Sequence, residues 1–177
     1  MTSCRNDTSI DPHAFPGQRP VLANSCKWQL DILLAEDTPS DIELFQLALE
    51  RCGQVRSLQI VRDGREVISY LQGEAPFDKP DRSVPSIIFM DLKMPRMTGL
   101  EVLQWLRAHP EHALIPIIMM SSSALDEDVL TAYRLGINAY FEKPSNFDQL
   151  QAILHSTLTF WSHAKRPPIN ILAPAHP

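Results

Sequence analysis

Residues 87–95 read IIFMDLKMP, four apolar residues followed at once by an aspartate, and this stretch decides the fold. A short run that is apolar at every position is typical of a strand buried on both faces, as in parallel sheets covered by helices. Residues 30–35, LDILLA, have a similar character and are followed by Glu36 and Asp37. The two stretches predict parallel strands whose ends carry acidic residues.

Strands and helices alternate along the rest of the chain. Further strands are predicted at residues 57–61, 116–120 and 139–141. Helices are predicted after residue 38, at 66–71, 99–108 and 126–135, and from 146 to about 161, because apolar residues recur there at helical spacing. Thr38 and Asp41 have the spacing of a capping box at the start of the first helix. Five strand–helix units in sequence predict an α/β fold, a doubly wound parallel sheet with helices on both sides.

Composition limits the domain count and the class of protein. The predicted domain covers residues 28–162, between a disordered tail at 1–27 and a Pro-rich tail at 163–177. The net charge of −5 argues against nucleic acid as the main partner. No apolar run approaches the length of a membrane span, and no secretory signal is evident. Three cysteines without metal-binding spacing are interpreted as free thiols in a cytoplasmic protein.

Chemically complementary residues follow four of the predicted strands. In an open parallel sheet, ligands bind beyond the carboxyl ends of the strands. Glu36 and Asp37 follow the first strand, Asp91 the third, Ser121 the fourth and Lys143 the fifth. Clustered carboxylates repel one another, and Mg²⁺, which prefers oxygen ligands, removes that repulsion. Since a carboxylate can attack phosphorus while the lysine and hydroxyl neutralise the phosphoryl oxygens, these residues predict Mg²⁺-assisted phosphoryl transfer onto Asp91.

Each of these residues also has a purely structural interpretation. Asp91 could end its strand in a turn, and the acidic pair could stabilise the next helix through its dipole. Lys143 could lie in a solvated turn, and Ser123 with Asp126 has the spacing of a capping box. Four strand ends that carry complementary groups are hard to obtain by chance, so we favour the phosphoryl-transfer site.

In combination, these motifs resemble the receiver domains of two-component response regulators, over about residues 29–161. The residues that carry the resemblance are Glu36-Asp37, Asp91-Leu92-Lys93-Met94-Pro95 with Gly99, Ser121 and Lys143-Pro144. The resemblance implies a five-stranded, flavodoxin-like (CheY-like) sheet of order 2-1-3-4-5. It also implies a signalling protein, not an enzyme, that accepts a phosphoryl group from a histidine kinase.

The resemblance assigns a role to each site residue. Asp91 would be the phosphoacceptor, and Mg²⁺ would be held by Glu36, Asp37, Asp91 and the backbone carbonyl of Lys93. The residues expected to contact the phosphoryl group or to switch with it are Ser121, Ser122 through its backbone, Lys143 and Tyr140. Glu36 stands where the family often has Asp, and its longer side chain can still reach a metal.

Features outside the site resemble the small single-domain regulators of cyanobacterial and bacterial phytochrome kinases. These features are the Asp63-Gly64 turn, the loop at 73–85, Lys93, and the Phe160-Trp161 ending. A phytochrome-type histidine kinase is therefore the expected partner. A homodimer through the fourth helix, fifth strand and fifth helix is also expected, because aromatic residues such as Phe160 are enriched at interfaces. The alternative, that both aromatics pack on the body of the domain, is equally compatible with the sequence.

Two other functions stay open. An aspartate-nucleophile phosphatase would need a second acid two residues after the nucleophile, where this chain has Lys93. A binding module that keeps the receiver fold as a scaffold, without phosphorylation, usually loses the acceptor, an acid of the pair or the lysine. This chain keeps all of them, which favours the phosphoacceptor.

Overall fold

Strands and helices alternate as the sequence predicts. The computed structural model describes residues 29–80, 82–123 and 125–165. The predicted tail at 1–27 lies outside the described residues, and so does the predicted tail at 163–177 apart from residues 163–165. The strands are β1 (Leu30–Ala35), β2 (Val55–Val61), β3 (Ile87–Met90), β4 (Ile117–Ser121) and β5 (Ala139–Glu142). The helices are α1 (Pro39–Glu50), α2 (Gly64–Gln72), α3 (Gly99–Ala108), α4 (Asp126–Arg134) and α5 (Phe147–His163). In this part of the chain, no helix is long and apolar enough to cross a membrane.

The strands form one parallel sheet of order β2-β1-β3-β4-β5, which confirms the predicted topology. The three central strands β1, β3 and β4 are buried at every position, whereas the edge strands β2 and β5 are partly exposed. The strand order reverses between β1 and β3, whose last residues Ala35 and Met90 are paired. The residues that follow these two strands therefore meet at the switch point, where ligands bind in such sheets.

Two apolar clusters cover opposite faces of the sheet. Successive strand residues belong to different clusters, as the two-residue period of a strand requires: Phe89 packs toward α1 and α5, and Met90 toward α2 and α3. The ring of Phe45 on α1 meets that of Phe89 edge to face, with the centroids 5.1 Å apart. Burial on both faces explains why the central strands lack alternating polar residues.

The start of α1 differs from the prediction. Thr38 occupies the N-cap position, but its side chain makes no capping hydrogen bond. Asp41 does not complete a capping box either, because its Oδ2 accepts a hydrogen bond from Nζ of Lys143 at 2.7 Å. The capping-box prediction is therefore wrong here: a charge-assisted hydrogen bond is stronger than a neutral one. The reciprocal capping box lies instead at α3, between Thr98 and Glu101.

Candidate functional site

Asp91 lies at the centre of the carboxyl edge of the sheet, directly after β3. Its backbone amide donates to the carbonyl of Ala35 at 2.9 Å, which ties it to the end of β1. The residue is 7% exposed. Its Oδ2 lies 3.2 Å from Nζ of Lys143, while its Oδ1 is buried and has no hydrogen-bond partner among the described residues. Since an unsatisfied buried acceptor is unfavourable, Asp91 holds an oxygen suited to a cation or a transferred group.

Glu36 and Asp37 complete an acidic cluster around Asp91. One carboxylate oxygen from each of the three residues lies within 4.8 Å of the others. Burial raises the pKa of Glu36, and its hydrogen bond with Lys143 opposes that rise only in part. Its Oε1 also accepts from the backbone amide of Thr38 at 3.2 Å, so the side chain is held in place. A set of hard oxygen donors with excess negative charge fits a divalent cation such as Mg²⁺.

Lys143 balances part of that negative charge. Its Nζ lies 2.7 Å from Asp41 Oδ2, 2.8 Å from Glu36 Oε2 and 3.2 Å from Asp91 Oδ2. Burial alone would lower the pKa of Lys143, but the hydrogen bonds to Asp41 and Glu36 and the charge of Asp91 raise it well above its usual value. The ammonium therefore stays charged at neutral pH. The amide of Lys143 donates to the carbonyl of Ser121 at 2.8 Å, which fixes its backbone at the end of β4.

Asp41 is a member of the site that sequence reasoning missed. It lies in the first turn of α1, four residues beyond the acidic pair, and its spacing from Thr38 suggested a capping role. The contact with Lys143 joins residues 102 positions apart in the chain. Asp41 reaches the cleft because of the direction in which the first turn of α1 faces after β1 ends. No local sequence motif indicates that direction.

Ser121 ends β4 and is fully buried. Its Oγ accepts a hydrogen bond from the amide of Ser123 at 3.1 Å. The hydroxyl of Ser123 donates to Asp128 Oδ2 in the first turn of α4 at 2.6 Å, and the hydroxyl of Tyr140 donates to the carbonyl of Ser123 at 2.8 Å. The capping box considered for Ser123 and Asp126 is therefore not formed. These bonds connect the carboxyl end of β4 to both α4 and β5.

The remaining predicted site residues lie in the loops beyond the strands. Lys93 and Ser122 are exposed, two residues after Asp91 and one residue after β4 respectively. The loop that contains Lys93 leads into α3 at Gly99, where an added Cβ would collide with the carbonyl oxygen of Asp91. A glycine is needed at this position because the helix start packs directly on the backbone of Asp91.

A partly apolar cavity of about 300 Å³ opens beside the acidic cluster, a size in the ordinary range of small binding sites. Its lining includes Leu44 and Phe45 of α1, Phe147 of α5, and Asp91 and Lys143 of the site. Leu44 is also exposed on the outer surface. Asp91 therefore lies at the edge of a surface that offers apolar contacts between α1 and α5.

Comparison with known proteins agrees with this geometry. The family model of the response regulator receiver domain matches residues 32–155. The response regulator Rcp1 of Synechocystis sp. is 32% identical over 130 residues, which are 73% of this chain and 87% of that protein. Two solved structures are also similar, and in each case the match covers 99% of the solved chain. The phosphorylated cyanobacterial phytochrome response regulator RcpA has a TM-score of 0.73 at 33% identity over 79% of this chain. The Mn²⁺-bound form of Rcp1 has a TM-score of 0.70 at 29% identity over 78% of this chain. The chain therefore belongs to the response regulator receiver domain family.

Proposed function

We propose that this protein accepts a phosphoryl group from a histidine kinase on Asp91, with Mg²⁺, and signals through protein contacts. The observation that carries the proposal is the buried carboxylate of Asp91, which clusters with two further carboxylates. Its Oδ1 lacks a partner among the described residues, and its Oδ2 lies 3.2 Å from the ammonium of Lys143. A nucleophile, a cation site and a fixed positive charge are what phosphoryl transfer requires.

The proposed Mg²⁺ site consists of the carboxylates of Glu36, Asp37 and Asp91 and the backbone carbonyl of Lys93. Bound Mg²⁺ would neutralise the carboxylates and the charge that develops on the phosphoryl oxygens. The excess of negative charge in the described cluster supports the proposal. The Mn²⁺-bound structure of Rcp1 supports it as well, because that relative holds a divalent ion.

In the proposed reaction, a carboxylate oxygen of Asp91 attacks the phosphorus of a phosphohistidine. The P–N bond breaks and its electron pair returns to the imidazole of the kinase. Lys143 keeps its proton, and its ammonium, which lies 3.2 Å from Asp91 Oδ2, would turn toward the phosphoryl oxygens. Ser121 and the backbone amide of Ser122 would donate hydrogen bonds to the same group.

The proposed switch is a shift between two states of the bonds around Ser121. A phosphoryl group would draw the Ser121 hydroxyl toward Asp91 and away from the amide of Ser123. Because Ser123 also bonds Asp128 on α4 and Tyr140 on β5, its displacement would alter both elements. The phosphoryl group can shift this equilibrium only by as much as it stabilises one state over the other.

The surfaces next to the site support protein partners as the output. We propose a phytochrome-type histidine kinase as the donor, because several solved structures that match this chain are phytochrome or bacteriophytochrome response regulators by their names. We also propose a homodimer through α4, β5 and α5, where Leu130, Tyr133 and Phe160 are exposed. Phe160 is 65% exposed, whereas Trp161 packs against the cluster formed with α1 and α5, so only Phe160 is free to act as an anchor.

Transfer from a phosphorylated kinase tests the proposed function. A phytochrome-type histidine kinase would be autophosphorylated with labelled ATP, freed of nucleotide, and mixed with the protein and Mg²⁺. We expect the label to move to the wild type and not to Asp91→Asn. Retention of the label on the kinase, under conditions in which its own regulator removes it, would contradict the assignment of this donor.

A further inference from the structure

The shortest of the three contacts to Lys143 comes from Asp41, a residue outside the set that the family resemblance assigns. The Asp41 side chain is 36% exposed and that of Lys143 is 20% exposed, so the pair lies at the mouth of the cleft. The N-cap hydrogen bond that would give Asp41 a local structural role is absent from α1. The pair therefore needs an explanation in terms of the site.

The ammonium of Lys143 has three hydrogens, and three carboxylate groups surround it in this structure. A phosphoryl group on Asp91 brings strong acceptor oxygens and additional negative charge. To bond it, Lys143 must weaken at least one present contact. Glu36 can exchange its contact with Lys143 for the proposed cation, and Asp91 carries the phosphoryl group itself. Asp41 is therefore the one of the three carboxylates that would lose Lys143 without gaining another positively charged partner.

We propose that Asp41 is a positioning residue that holds Lys143 in the unphosphorylated state and competes with the phosphoryl group for it. Asp41 thereby lowers the stability of the phosphorylated form relative to the unmodified form. The inference rests on the proposed function, since it concerns the lysine that would bind the phosphoryl group. On this proposal, a residue of α1 that is not part of the cation site influences how stable the phosphorylated form of Asp91 is.

A merely structural role would act differently. If Asp41 only tied α1 to the segment after β5, or stabilised the helix start through its dipole, its loss would lower thermal stability and leave ligand affinity unchanged. Competition for Lys143 predicts the opposite pattern, a gain in affinity for a phosphoryl mimic. The two roles are separated by measuring both quantities on the same variants.

The test uses beryllofluoride, a mimic of the aspartyl phosphate, at saturating Mg²⁺ on the full chain. Its affinity would be measured by calorimetry for the wild type, Asp41→Asn, Asp41→Ala and Asp41→Glu. Glu43→Gln serves as the matched control, because Glu43 is an exposed acid on the same helix. Mg²⁺ affinity without beryllofluoride and the melting temperature would be recorded for each variant.

Loss of a partly exposed ion pair predicts beryllofluoride binding about two- to fivefold tighter in Asp41→Asn and Asp41→Ala. We expect a much smaller change in Mg²⁺ affinity, a return toward wild type in Asp41→Glu, and no change in Glu43→Gln. Unchanged or weaker beryllofluoride binding in both neutral variants would overturn the inference while leaving the proposed function intact. A wild type that does not bind beryllofluoride at all would refute the proposed function and the inference with it.

Discussion

Replacing Lys143 by Met would leave the carboxylates of Glu36, Asp41 and Asp91 without their shared cation. The magnitude follows from the geometry: three oxygens lie 2.7, 2.8 and 3.2 Å from the ammonium nitrogen. Removing one partner of a buried pair costs about 3–5 kcal/mol, but water screens this site because the Lys143 and Asp41 side chains are partly exposed. We therefore expect a loss of about 2 kcal/mol in the free energy of unfolding without divalent cation, or about 4–8 °C in melting temperature.

Divalent cation should narrow the difference in stability between the wild type and Lys143→Met. Without the ammonium, Mg²⁺ meets less positive charge, so it should bind more tightly to Lys143→Met than to the wild type and close most of the stability gap. The assay is thermal unfolding with and without Mg²⁺, with Lys165→Met as a control because Lys165 is exposed. Equal stability of variant and wild type in chelator, or a gap that Mg²⁺ does not narrow, would refute the reasoning.

Three further predictions concern the buried acid, the start of α3 and the switch. Burial raises the pKa of Glu36, so the folded protein loses stability as the pH rises through that pKa and the side chain ionises. In chelator at pH 7, Glu36→Gln should therefore have a higher denaturant midpoint of unfolding than the wild type, and this gain should disappear near pH 4; a gain independent of pH would contradict the reasoning. Gly99→Ala should cost about 1–3 kcal/mol in chemical unfolding, because the new Cβ collides with the backbone of Asp91, whereas Gly53→Ala, with open space around it, should change stability by less than about 0.5 kcal/mol. Tyr140→Ala should still accept a phosphoryl group by intact mass but lose most of the phosphorylation-dependent change in partner binding, and an unchanged response would remove Tyr140 from the switch.

The positions of the main site residues could be predicted because they depend on a general property of parallel sheets. Apolar runs identified β1, β3 and β4, and the carboxyl ends of these strands meet at one edge regardless of loop details. Glu36, Asp37 and Asp91 were therefore expected to cluster, and their oxygens do lie together. The contact of Lys143 with Asp91 agrees with the same rule.

The role of Asp41 could not be predicted, because two physical effects compete at that position. The local spacing from Thr38 favours a capping box, whereas a lysine 102 residues away offers a charged partner. The outcome depends on how α1 and the segment after β5 pack, which no local pattern reveals. The same holds for Ser123, whose hydroxyl reaches Asp128 instead of forming the capping box with Asp126.

A second unpredicted contact lies in the loop between β3 and α3. Arg96 adopts a left-handed backbone conformation with φ of 64°, which is unfavourable for a residue with a side chain. Its guanidinium pairs with the buried carboxylate of Asp63 and lies 3.5 Å from Glu66. The ion pairs between this loop and the start of α2 compensate for the backbone conformation, and such compensation is visible only once the fold has brought the two segments together.

Phosphorylation of the purified protein by acetyl phosphate tests the central claim most directly. The measurement is intact mass with Mg²⁺, with Mg²⁺ replaced by chelator, and with Asp91→Asn. The account predicts a gain of one phosphoryl group in the wild type that is absent in chelator and absent in the variant. A wild type that gains no mass while a control receiver is labelled, or an Asp91→Asn protein labelled to the same extent as wild type, would contradict it.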